Sequence, residues 1–356
     1  MSIQLGLPPL DIFLFSPNQP QKIARSFFAS PDTPRTFLRP ISISPTTFKS
    51  TLDFQFALTF AIGYVSIVLF LSKLNASRQH KPWGFSKTSL FKTLVVAHNT
   101  LLALFSAWMF YGMCYSLYKS WPVGTAREGS DYYAHVAQML CETDSTAIRA
   151  PGNVKSLWEE GTAYFGWFFY MSKFYEVLDT MIILASGKKS STLQTYHHAG
   201  IMFCTWASLK YASPTYLVGI VLNSGVHTLM YSYFAIQSLG FSIPMSIKRS
   251  LTSIQIAQFL VGMVWGFSYV ALKYNLGFDI TEQAMTNVSD HEPRLAHGAM
   301  AGELGDGNKR IAADTAVSCL SDSGEALTFV MTTAYILPLL FLFVQFFVRS
   351  YVKVAK

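Results

Sequence analysis

Charge is scarce in this sequence. Lys, Arg, Asp and Glu make up 13% of its 356 residues and hydrophobic residues 51%, which is more apolar than a soluble core of this length needs. No basic leader followed by a short apolar core stands at the start, so a cleavable signal peptide is not expected and the first long apolar run should itself serve as the insertion signal. Internal repeats are absent. Cysteine is sparse: Cys114, Cys141, Cys204 and Cys319 show no metal-type spacing.

What the sequence does have is long apolar runs. At about 1.5 Å per residue, a helix needs about twenty residues to cross roughly 30 Å of hydrocarbon. Runs near 54–72, 93–118, 158–185, 193–209, 211–236, 251–272 and 327–348 meet or approach that length. The expectation is an all-α integral membrane protein with seven transmembrane helices over residues 51–350. Residues 1–50 hold eight prolines and many Ser and Thr without helical periodicity, and read as a disordered tail.

Lys and Arg in the short connections give the orientation. Lys73, Arg78, Lys81, Lys87, Lys188, Lys189, Lys248, Arg249, Arg349, Lys353 and Lys356 all fall on one side, which is then cytosolic, with the tail at 351–356. The loop at 275–326 is acidic, with Asp279, Glu282, Asp290, Glu292, Glu303, Asp306, Asp314, Asp322 and Glu325, and is expected in the lumen with the N-terminus. Cys141 and Cys319 both fall in lumenal loops, where an oxidising setting would permit a disulfide. The net charge of +7 is accounted for by topology, and no nucleic-acid partner is implied.

Ionisable groups inside apolar spans are costly, so each is a functional candidate. Here they sort by depth. His98 and Asn99 open the second span; Lys173, Glu176, Asp179 and Thr180 end the third; Gln194, His197 and His198 begin the fourth. Asn223, His227, Tyr231 and Tyr233 lie in the second half of the fifth, and Thr252, Gln255 and Gln258 open the sixth. All are in the cytosolic half. This predicts one polar chamber open to the cytosol and closed below by apolar side chains, which suits a long amphiphile whose head reacts while its tail lies in the protein. A channel would need polar lining throughout. Lys173, Glu176 and Asp179 recur at i, i+3, i+6 and can neutralise one another on one face. Asn223 with His227, and Gln194 with His197, also share faces, so an amide could fix each imidazole's tautomer.

A di-iron oxidase needs about eight imidazole or carboxylate ligands, more than His98, His197, His198 and His227 offer, and zinc needs three or four facing one point. His198 points about 100° away from His197 on an ideal helix, so no metal is expected. An imidazole is also a nucleophile that can carry an acyl group between two half-reactions. Cys204 is the rival: it is seven residues beyond His197 on the same face, about 10 Å deeper, in an apolar stretch.

The stretches KFYEVLDT (Lys173 to Thr180), QTYHH (Gln194 to His198), NSGVHTLMYSYF (Asn223 to Phe234) and TSIQIAQF (Thr252 to Phe259) resemble, in order, the four signature boxes of the ELO family of very-long-chain fatty acid elongases. His98-Asn99 also matches, and the resemblance covers about residues 50–350. It implies seven helices with six around a substrate tunnel, in the endoplasmic reticulum membrane. The implied activity is the condensing step of elongation, in which acyl-CoA and malonyl-CoA give 3-oxoacyl-CoA, CO2 and CoA without a cofactor. Carried onto this chain, His197 becomes the acyl-accepting nucleophile, His227 with Asn223 handles malonyl decarboxylation, and His198 assists. The implied partners are CoA thioesters, the lipid bilayer, the reductases and dehydratase of the elongation cycle, and a second copy as a homodimer. Gln194 stands where the family box usually begins with His, a variant of some fungal and algal members, and Phe234 replaces a usual Tyr. The C-terminal KVAK is an imperfect dilysine signal. Lys188, Lys189, Lys248 and Arg249 are expected to rim the chamber mouth as a docking ring for CoA phosphates. The competing class is a seven-helix receptor or transporter, which would not need charges concentrated at one depth.

Overall fold

A computed structural model describes residues 2–14, 35–122, 130–143, 156–275 and 316–352. Asn287, the acidic residues from Asp279 to Asp314, Lys353 and Lys356 lie outside these. The described chain is mostly helical: α1 (Pro45–Thr51), α2 (Phe54–Ser77), α3 (Ser89–Ser120), α4 (Ser130–Cys141), α5 (Ala163–Tyr175), α6 (Leu178–Ala185), α7 (Thr192–Lys210), α8 (Tyr216–Ser238), α9 (Met245–Ala271) and α10 (Ser323–Phe347). Helix starts follow from short polar side chains that satisfy otherwise orphaned amides. Asp53 accepts from Gln55 N, Thr88 from Phe91 N, Ser191 from Gln194 N and Asp322 from Glu325 N.

Four helices, Phe54–Ser77, Ser89–Ser120, Met245–Ala271 and Ser323–Val352, are long and apolar enough to cross a membrane. The other three expected spans are also helical, but they carry the polar residues of the site. One of them is compound: a π turn at Trp158–Thr162 leads into α5, and α5 and α6 meet at a tightened turn around Glu176.

The helices pack so that α7 touches α2, α5 and α10, α8 lies along α3, and α9 bridges α8 and α10. α2 packs on α6 and α7 from outside. The main core, with Tyr64, Met109, Phe165, Tyr170, Met202 and Ile220 buried, fills the space among α2, α3, α5, α7 and α8.

Two parts of the expected disordered tail are ordered. Strand β1 (Ser2–Leu5) pairs antiparallel with β2 (Leu272–Asn275), which pairs with β3 (Val317–Ser318). Residues 35–52 pack against the bundle, with Ile43, Phe48 and Leu52 buried. Interior aromatic side chains hold their carbonyls: Tyr164 OH donates to Ile41 O at 2.9 Å, Tyr170 OH to Thr51 O at 2.8 Å and Trp206 Nε1 to Leu52 O at 2.9 Å. Both corrections have one cause. The ordering partners lie more than a hundred residues away, so no local window of sequence reveals them.

Cys141 and Cys319 form a disulfide, with Cα atoms 4.9 Å apart, that ties α4 to the segment entering α10. Around it cluster Val218, Tyr269, Tyr274, Leu320 and Ala326. At the opposite, basic end, Asn75 Nδ2 donates to Leu184 O and Lys188 O while its Oδ1 accepts from Trp83 Nε1. Gly187 turns the chain there at φ 79°, where a Cβ would meet the His80 and Lys81 backbone.

Candidate active site

The α5–α6 rod places three charges on one face. Asp179 N bonds Glu176 O, and Thr180 N bonds Val177 O, both i to i+3 bonds. In such a tightened turn residues three apart eclipse, which keeps Lys173, Glu176 and Asp179 aligned where a regular α-helix would let them drift. Each then finds partners. Lys173 Nζ donates to Glu176 Oε1 at 2.8 Å and to Asn223 Oδ1 at 3.1 Å, and lies 4.0 Å from the centre of the Phe169 ring. Ser172 Oγ adds a bond to Glu176 Oε1 at 2.9 Å. Asp179 is held separately, by His98 Nε2 at 2.8 Å and Tyr231 OH at 2.7 Å. His98 Nδ1 faces Tyr175 OH at 3.3 Å.

The two adjacent histidines have different partners. Gln194 Nε2 lies 2.8 Å from His198 Nε2 and donates to Thr180 Oγ1, which in turn meets Tyr64 OH at 3.0 Å. The expected Gln194–His197 pairing therefore does not form. Four residues on a helix leave an offset of about 40° and three leave about 60°, so the glutamine reaches His198 first. His197 is instead held by Tyr335 of α10: Tyr335 OH donates to His197 O at 3.0 Å and lies 2.8 Å from His197 Nδ1. A tyrosine hydroxyl has one proton. With that proton on the carbonyl, the oxygen accepts from Nδ1–H, and the lone pair of the imidazole is left on Nε2. Asn223 is turned to Lys173, whose Nζ its oxygen accepts, and is not hydrogen-bonded to His227; His227 Nδ1 lies 3.9 Å from Glu176 Oε1, beyond hydrogen-bond length.

Two cavities meet at this point. A polar chamber of about 620 Å³ is lined from α3, the α5–α6 rod, α7, α8, α9 and α10, and includes Glu176, Asp179, Gln194, His198, His227 and Tyr231. An apolar cavity of about 140 Å³ runs away from it between α7, α8, α9 and α10. His197, Asn223, Gln258 and Phe259 line both. The far end reaches Val218 and Phe329, which also pack on the disulfide-linked cluster, so that end cap forms the floor.

Of the expected site residues, Asn99 and Gln255 also line the chamber, while His98 and Lys173 stand behind its wall and hold the lining carboxylates. Tyr233 is buried but lines neither cavity. Lys188, Lys189, Lys248 and Arg249 are not among the lining residues either; Arg249 lies against the Phe347 ring. The sequence reading missed Tyr335. Its signal was weak: a tyrosine in an apolar helix needs a partner for its hydroxyl when buried, but nothing local says which. Cys204 lines the apolar cavity, as its spacing from His197 suggested. Among the described residues, no three His, Cys, Asp or Glu side chains converge to hold a metal ion.

Residues 50–356 match the family described as ELO: GNS1/SUR4. Similar curated proteins include long chain fatty acid elongase 2 of Caenorhabditis elegans, 29% identical over 56% of this chain and 63% of that one. Fatty acid elongase 2 of Trypanosoma brucei brucei is 28% identical over 56% and 71%, and very long chain fatty acid elongase 6 of Drosophila melanogaster 32% identical over 49% and 50%. Most such relatives are matched over less than two thirds of their own length. No solved structure matches significantly.

Proposed function

Because this chain belongs to the ELO (GNS1/SUR4) family, we propose that it is the condensing enzyme of fatty acid elongation, joining a long-chain acyl-CoA to malonyl-CoA. The observation that carries the reading is His197 at the junction of a polar chamber and an apolar cavity: the thioester lies in the chamber and the acyl chain in the cavity. His197 Nε2 attacks the thioester carbon, the C–S bond breaks, and the CoA thiolate takes the one proton that the overall reaction consumes. Malonyl-CoA then loses CO2. Its enolate carbon attacks the acyl carbon and the C–N bond to His197 breaks, giving 3-oxoacyl-CoA. Asn223, oriented by Lys173, and His227 face the developing enolate oxygen. Purified protein given both esters should release CO2 and free CoA in equal amounts; no release would return the chain to the receptor or transporter class.

The apolar cavity takes its width from missing side chains. A Cβ at Gly219 would meet nothing within 4 Å, and at Gly262 and Gly266 only Leu222 and Phe329 at 3.7 Å. Glycines at the helix contacts differ: a Cβ at Gly166 would meet Tyr216 at 2.7 Å, and one at Gly200 would meet the Tyr335 ring. Glycine costs a helix about 1 kcal/mol relative to Ala, and at these three cavity-lining positions the volume left open accounts for that cost. Gly262→Phe and Gly266→Phe should each shorten the longest product. The second blocks about 6 Å deeper, one helical turn, so its products should be roughly five carbons longer at about 1.2 Å per bond of extended chain. Gas chromatography of the products checks this, and equal, unshifted product distributions would refute the placement of the chain.

The seven-span topology, with six elements around the cavities, residence in the endoplasmic reticulum and a cytosolic chamber mouth belong to the same proposal. Asn75-Ala76-Ser77 and Asn287-Val288-Ser289 are both acceptor sequons. Asn75 is fully buried with both amide atoms bonded. Asn75→Gln should leave the glycan unchanged and Asn287→Gln should remove it, read as a mobility shift after glycosidase treatment; a glycan on Asn75 would reverse the orientation.

A further inference from the structure

We propose that Arg349 is the residue that holds the pyrophosphate of the CoA esters, an assignment that rests on the reading of the chamber as the thioester site. α10 and the π turn that continues it line the two cavities along one face. Tyr335 and Leu339 face the apolar cavity, and Leu342, Gln345, Phe346 and Arg349 face the chamber. The spacing repeats at three and four residues, as one helical face requires.

Charge then singles out Arg349. Among the described residues that line the chamber it is the sole Lys or Arg, while Glu176 and Asp179 supply carboxylates. Lys173, behind the chamber wall, is bound to Glu176 and Asn223, and Arg249 lies against the Phe347 ring without lining the chamber. A phosphate entering a chamber walled by carboxylates needs a compensating cation, and a guanidinium binds it bidentately. Arg349 lies in a π turn, Val348–Val352, a feature frequent at functional sites. Tyr351 anchors that turn to the start of α9: its hydroxyl lies 3.2 Å from Thr252 Oγ1 and donates to Lys248 O at 3.4 Å.

Length agrees as well. Tyr335 marks the position of His197, where the thioester sulfur must sit. Arg349 is fourteen residues further along, about 21 Å at about 1.5 Å per residue. From the sulfur of CoA to its first phosphorus is about thirteen bonds, roughly 16 Å of extended chain. The arginine side chain covers the difference.

The test compares acyl-CoA with the S-acyl-pantetheine that lacks all phosphates, on purified wild type, Arg349→Gln and Arg349→Lys. Arg349→Gln should raise KM for acyl-CoA and malonyl-CoA on the order of 10-fold, the size of a lost hydrogen bond to a charged group. It should leave kcat and the KM for S-acyl-pantetheine unchanged, and Arg349→Lys should recover part of the loss. An unchanged KM for acyl-CoA, or equal losses for both thioesters, would overturn the assignment. If wild type condenses no thioester at all, the condensing-enzyme reading fails separately, and calorimetry with CoA and pantetheine decides the site. Weaker binding of CoA alone in Arg349→Gln supports it; CoA binding equal to wild type overturns it.

Discussion

His197→Ala will abolish condensation, with a loss of at least about 10³-fold, as removal of a covalent nucleophile does. It will also abolish an earlier event. In a ping-pong scheme acyl-CoA alone acylates the enzyme and releases CoA before malonyl-CoA arrives, so intact-mass spectrometry should find an acyl adduct on wild type and none on His197→Ala. The geometry behind this is specific: Tyr335 holds Nδ1 at 2.8 Å and the ring borders both cavities, which leaves Nε2 available for the proposed attack on the thioester. Tyr335→Phe keeps the imidazole and loses its orientation, so kcat should fall by roughly 10- to 100-fold with the adduct still forming, only slowly. His227→Ala should be acylated and fail to condense, since decarboxylation belongs to the second half-reaction. Cys204 is the built-in control, being buried in the same apolar cavity. An adduct that survives in His197→Ala and vanishes in Cys204→Ala would move the nucleophile to the thiol. No adduct in any variant would mean direct transfer between two bound esters.

The largest effect on stability is expected at Lys173. Its side chain is 2% exposed and that of Glu176 3% exposed, joined at 2.8 Å. Taking two such charges out of water is costly, and the pair is tolerated because each compensates the other, so removing one partner costs about 3–5 kcal/mol and replacing both costs far less. Lys173→Met should lower the melting temperature of the detergent-solubilised protein by on the order of 10 °C. Lys173→Met/Glu176→Gln should recover most of that stability, although not activity, because Asn223 loses the bond that orients it. A single variant that melts with wild type would show that the pair does not hold the bundle together at this point.

Local pattern carried much of this protein. Apolar runs located α2, α3, α9 and α10 within several residues, because hydrocarbon thickness fixes how long such a run must be. The depth of Lys173, Glu176, Asp179, His197 and His227 announced a polar chamber above an apolar one, because a charge inside a span must face something other than lipid. Helical spacing put Lys173 beside Glu176, three residues away on its own rod. The order of the boxes pointed to the family.

Which side chains meet across helices was decided by tertiary structure alone. Tyr335 holds His197 across 138 residues, His98 reaches Asp179 across 81 and Lys173 reaches Asn223 across 50. Periodicity tells which face a residue occupies and not which other helix that face will meet. The same limit hid β1, whose partner β2 lies some 270 residues on, and Arg349, which packing brings to the chamber lining. The sequence by itself determined the solvent, the helices and the kinds of side chain they present at each depth. The pairings that turn those side chains into a site came from how the helices lie against one another, since hydrogen bonds a few ångströms long depend on distances that only the packed bundle defines.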